Sequence, residues 1–139
     1  MTIHIKLENA DKIIKTLNNI AQKTEQRTEL MTTIADTMQK AVLDNFEAEG
    51  RPKWLGIKHR KGQILNDTGN LKNSIEKFAD NDSATVGTIV EYAAIHQFGG
   101  MAGRNKKVKI PARPFVSLVE QDRNDIIEDI QQYYKKVIK

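Results

Sequence analysis

Between Tyr92 and Phe115 the chain cannot form one continuous helix or strand. It reads Tyr92-Ala-Ala-Ile-His-Gln-Phe-Gly-Gly100, then a basic stretch, then Ile110-Pro-Ala-Arg-Pro-Phe115. Paired glycines favour backbone angles that end a helix. Each proline pushes the residue before it, Ile110 and Arg113, into extended geometry. The order predicts a short helix over residues 92–98 with Gly99 as its left-handed cap. A loop carrying Arg104, Lys106 and Lys107 follows, and Pro111 and Pro114 clamp the chain ahead of a last helix. Gly99 and Gly100 read as the pivot of that loop. Residues 99–109 are expected to stay loose in an isolated subunit and to fold against a neighbour. Nothing in this arrangement is chemically reactive; it suits contact with another molecule.

The rest of the chain supplies a scaffold. Ile3, Ile5 and Leu7 alternate with polar residues, the period of a short half-buried strand. Asn9 or Asp11 can cap a helix through about residue 23, with Ile13, Ile14, Leu17 and Ile20 on one face. Leu30, Met31, Ile34, Met38, Ala41, Val42 and Phe46 recur at helical spacing, and Gly50 and Pro52 end that longer helix. Residues 51–63 read as a basic loop from which Trp54 and Leu55 dip into the core. Asp67 or Thr68 can cap a single turn holding Leu71 and Ser74. Strands are expected over 75–78 and 85–90 around the turn Asp80-Asn-Asp-Ser83. Residues 108–110 read as a third strand closing that sheet, and 117–138 as the last helix. Helices at both ends of a small antiparallel sheet make an α+β fold, in one domain spanning 1–139.

Charge matters here through its placement. The balance is +4, too weak to name nucleic acid by itself. It is concentrated in Arg51, Lys53, Lys58, Arg60 and Lys61, and again in Arg104, Lys106, Lys107, Lys109 and Arg113. The last helix starts acidic, with Glu120, Asp122, Asp125, Glu128 and Asp129, and ends basic, which complements its dipole. With no cysteine, disulfides and thiolate metal sites are excluded. No apolar run approaches the roughly 18 residues of a membrane span, and the N-terminus lacks the regions of a signal peptide. A cytosolic protein without membrane contact is expected.

Catalytic readings are weak. Asp67-Thr68-Gly69 spells the aspartic-protease triplet, yet Asn66 and Asn70 flank it where an apolar strand should lie, so a turn and helix cap is the better reading. His4, His59 and His96 share no zinc spacing. His96 beside Gln97 reads as a buried or interfacial hydrogen-bonding residue. Gly99, Gly100 and Gly103 do not follow a strand and open a helix, as a phosphate-cradling loop would. Trp54 lies amid basic residues and could stack on a base, but a core anchor is the simpler role. The candidate interface is therefore Arg104, Lys106, Lys107, Lys109 and Arg113.

Taken together the chain resembles the phage virion morphogenesis family, the tail-completion proteins of Mu-like and related tailed phages. The matching blocks are Leu65-x-x-Thr68-Gly69-x-Leu71-x-x-Ser74-Ile75, then Val86-Gly-Thr88, then Tyr92-Ala-x-Ile95-His-Gln-Phe-Gly-Gly100, then Ile110-Pro-Ala-Arg-Pro-Phe115. The resemblance covers about residues 25–139. It implies a structural protein of the neck or tail terminus that works without catalytic residues or a cofactor. It also implies a ring of identical subunits, most simply six, that meets tail or head–tail connector proteins. Such a protein would gather in the host cytoplasm and end in the virion, with DNA contact secondary. The rival classes are a nucleic-acid-binding module using both basic stretches and a small hydrolase using Asp67 or His96.

Overall fold

A computed structural model describes residues 10–57, 62, 64–65, 69–102 and 108–138. Its elements in chain order are α1 (Ala10–Glu25), α2 (Thr28–Glu47), α3 (Asn70–Asn73), β1 (Glu76–Ala79), β2 (Ala84–Gly87), α4 (Ala93–Phe98), β3 (Gly100–Ala102), β4 (Val108–Ile110) and α5 (Glu120–Ile138). The α+β class holds. The expected strand at Ile3, Ile5 and Leu7 lies outside the described residues.

Helix α2 is the axis. Its apolar stripe buries Leu30, Ala35, Ala41, Val42 and Phe46, and both the β1–β2 hairpin and α5 pack against it. Val42 and Phe46 form one core with Trp54, Ile64, Leu71, Ile75, Ala93 and Phe115. Phe46 stands edge-on to Trp54 at 5.9 Å and tilted to Phe115 at 5.4 Å, the arrangements that ring quadrupoles favour. The helix stops in a tight turn at Gly50 (φ +104°). A Cβ there would lie 2.6 Å from the Pro52 carbonyl and the Trp54 ring, so only glycine fits.

Leu55 does not follow Trp54 inward and is 66% exposed. Adjacent side chains on extended backbone point to opposite sides, and the indole takes the core slot.

Strands β1 and β2 pair antiparallel, from Glu76↔Gly87 to Ala79↔Ala84. Asp80 makes their turn: its Oδ1 accepts from the Asp82 and Ser83 amides at 2.8 and 2.7 Å. These bonds hold the exposed Asp80 carboxyl below its usual pKa. Asn81 at the tip accepts from the Arg27 amide and donates to the Glu25 carbonyl, serving backbone groups that the α1–α2 junction leaves open.

Residues 108–110 do not close that sheet. They pair with Gly100–Ala102 in a second hairpin, from Gly100↔Ile110 to Ala102↔Val108. Closing a short local loop costs less chain entropy than reaching back to β2. The single turn at Leu71 is α3, and its N-terminal flank is Gly69 at φ +78° without a side-chain cap. Thr68 and Asp67 lie outside the described residues.

Helix α5 runs antiparallel to α2. Asp122 meets Arg51 near one end, Asp129 accepts from the Thr37 hydroxyl midway, and the Tyr133 hydroxyl reaches the Lys23 and Gln26 carbonyls at 2.8 and 2.9 Å.

Candidate assembly site

The two proline- and glycine-bearing blocks fold onto each other. The Gln97 side chain reads the backbone of the opposite block: its Oε1 accepts from the Phe115 and Val116 amides, and its Nε2 donates to the Val116 carbonyl, all at 3.0 Å. The His96 carbonyl accepts from the Arg113 amide at 2.7 Å. Gly99 (φ +74°) lies so close that a Cβ would sit 2.8 Å from the Ala112 nitrogen and 3.0 Å from the Ile110 carbonyl oxygen. The expected pivot is therefore a packed contact. Gly100 is the first residue of β3, so the ends of the segment expected to be loose are paired strand.

From the other side, Asn45 is fully buried and donates to the Phe115 and Ser117 carbonyls at 2.7 and 3.1 Å. The Trp54 indole donates to the Pro114 carbonyl at 3.3 Å. Arg51 completes the clasp by donating to Asn45 Oδ1 at 2.7 Å and to both oxygens of Asp122 at 3.1 and 2.9 Å. Asp122 in turn accepts from the Val119 amide at the start of α5. Phe115, 1% exposed, is the plug that this network surrounds.

Several charges read as surface cations have inward duties. Arg113 is 8% exposed, and its guanidinium donates to the Leu55 and Gly56 carbonyls at 3.0 Å each. It leaves the candidate interface. The irregular segment at 55–56 leaves carbonyls that a long cationic side chain can satisfy, which makes burial tolerable. Arg51 is likewise internal, and Lys53 donates to the Ala48 carbonyl. Lys109 lies exposed on β4, paired across the strands with Met101. Arg104, Lys106 and Lys107, with Lys58, Arg60, Lys61, His4 and His59, lie outside the described residues. Pro111 is half-buried and Pro114 exposed beside the clasp.

His96 has its Nδ1 buried with no hydrogen-bond partner, and its ring meets Tyr92 edge-on at 5.8 Å. Burial, and then the charge of Arg113, push its pKa below the ordinary histidine value. The ring is packed as a neutral group. Among the described residues no cluster of three His, Asp or Glu could hold a metal ion, and no helix is long and apolar enough to cross a membrane.

Opposite charge gathers between α2 and α5. A groove of about 240 Å³ is lined by Thr37, Lys40, Asp44, Asp125, Glu128 and Asp129 among others. Asp44 binds Lys40 at 2.8 Å and raises the lysine pKa.

Asn45, Arg51 and Asp122 are the residues of the clasp that sequence reasoning passed over. One signal was present: Asn45 follows Ala41 by four positions, on the buried face of α2.

The model of the phage virion morphogenesis family matches residues 8–135, and the chain belongs to that family. It is 53% identical over 137 residues to Mu-like prophage FluMu G protein 2 of Haemophilus influenzae, covering 99% of each chain. It is 38% identical over 74 residues to the putative capsid assembly protein G of Escherichia phage Mu, 51% of this chain and 46% of that one. No solved structure matches.

Proposed function

We propose that this member of the phage virion morphogenesis family is a non-enzymatic assembly protein of the phage neck or tail terminus, completing the tail or readying it to join the head. The observation that carries the reading is the clasp. Gln97, Asn45 and Trp54 bind backbone directly and Arg51 holds Asn45 in place, and what they fix is the base of the β3–β4 hairpin, where Phe98, Met101, Val108 and Lys109 are exposed. A rigid base beside exposed apolar and cationic side chains suits docking.

The working form is a ring of identical subunits, most simply six. The β4 side meets the acidic groove between α2 and α5 of the next copy in a head-to-tail contact, which closes when its rotation allows. Exposed ion pairs contribute only about 0.2–1 kcal/mol each, so this contact forms on the growing particle. Tail or connector proteins are the outer partners. The chain would gather in the host cytoplasm and remain in the virion at the neck or tail terminus. DNA contact is secondary, since Arg51 and Arg113 are engaged internally.

Reversing charge at Lys106, Lys107 and Lys109 together tests the reading. Heads and tails are expected to accumulate unjoined while the purified variant unfolds in urea like wild type. Normal infectious particles from the triple variant would overturn it.

A further inference from the structure

Helix α1 carries Ile13, Leu17, Ile20 and Thr24 at spacings that place them on one face. Helix α5 carries Ile127, Ile130, Tyr134 and Ile138 in the same way. The two faces meet where the Thr24 and Tyr134 hydroxyls bond at 2.8 Å. The bonds from α5 to α1 fall at Lys23 and Thr24, at the C-terminal end of α1 and close to where α5 ends at Ile138. Leu17 is left 58% exposed, Ile127 52% and Ile138 59%. With Ile14 beside Leu17 on α1, the exposed aliphatics form a band across the two helices.

Such a band has a definite size. Ile13, Ile14, Leu17, Ile127, Ile130 and Ile138, each 38–59% exposed, present on the order of 550 Å² of apolar surface, near the top of the range for a monomer's largest patch. Stable interfaces bury about 800 Å² per partner, so the band with its polar margin is the area one side of a dimer needs. A helix of 16 residues is also marginal alone in water, and among the described residues little covers the N-terminal half of α1.

We infer that the α1–α5 band is a contact between two copies of this chain, the band of one packing on the band of the other. This adds an apolar contact to the charged one of the assembly reading and uses a different face. Free chains are thereby paired before any particle forms.

Sedimentation of the full chain at tens of micromolar should show a dimer. Leu17→Lys and Ile127→Lys, both at exposed positions, should each weaken it by about tenfold or more, with far-UV circular dichroism unchanged. The chain has no cysteine, so Leu17→Cys supplies one thiol for a short bis-maleimide; it should link two copies, whereas Thr85→Cys on the outer face of β2 should not. A wild type that stays monomeric to about 1 mM, lysine variants that dimerise as wild type, or equal linking from both cysteines would each overturn the inference. Deletion of residues 1–9 that turns a monomer into a dimer would also overturn it, since the chain would then cover its own band. Reversed charge at Lys109 should leave the dimer intact, so failure here and failure of the charged contact are distinguishable.

Discussion

Replacing Arg51 by methionine removes the cation that joins the end of α2, the following turn and the start of α5. Its guanidinium serves Asn45, the Ala41 carbonyl and both oxygens of Asp122. The Asp122 side chain is only 6% exposed, so water cannot take over, and the carboxylate would keep the Val119 amide alone. Leaving one half of a buried ion pair costs about 3–5 kcal/mol. The lower figure applies, since Arg51 itself is 23% exposed and its end of the pair is partly hydrated. A domain of this length has a total stability of roughly 7–20 kcal/mol, and a loss of ~3 kcal/mol should lower Tm by about 10 °C. Arg51→Met with Asp122→Leu leaves no stranded charge, so the pair should cost less than the sum of the two single variants by at least ~1.5 kcal/mol. Urea unfolding followed by the fluorescence of Trp54, the sole tryptophan, reads the clasp directly. A single variant within about 1 kcal/mol of wild type, or strict additivity in the cycle, would refute the reasoning.

Gly99→Ala should destabilise the fold by about 1–3 kcal/mol, because its Cβ meets the backbone of Ala112 and Ile110 at positive φ; Gly87→Ala, which meets nothing within 4 Å, should stay within about 0.5 kcal/mol in the same thermal melts. His96 titrates below its usual value when folded, so the unfolded chain binds its proton first. The stability this gives is complete above the unfolded value of about 6.5 and declines as pH falls from there toward the folded pKa. His96→Gln should flatten that part of the curve of urea midpoint against pH, and an identical slope in the variant would show that another group is responsible.

Much of the scaffold was legible because periodicity reports burial. The α2 stripe and the Asp80-Asn-Asp-Ser83 turn follow from spacing and turn chemistry, and the structure places both where the sequence does. The clasp was not legible in the same way. Charged residues are usually solvated, so Arg51, Arg113 and Asp122 read as surface. Their burial depends on carbonyls and amides left open by irregular segments far away in the chain, such as the carbonyls of Leu55 and Gly56. The β3–β4 hairpin was missed for a related reason: Gly100 reads as loop, and only the pairing with Ile110 makes it strand. Gln97 was singled out, but the backbone it reads lies 18 and 19 positions ahead, a distance no local pattern encodes.

The hairpin and its clasp also bear on how lineages of this chain can diverge. Ala102 and Val108 face each other as the last ladder pair, while Gln97, Gly99 and Arg113 fix the stem below. Exposed Met101, Val108 and Lys109 can change in size or charge above that stem without entering the buried core around Phe115. Variation can therefore accumulate on the outer side of this hairpin while Gln97, Gly99 and Arg113, held by mutual fit, stay constrained.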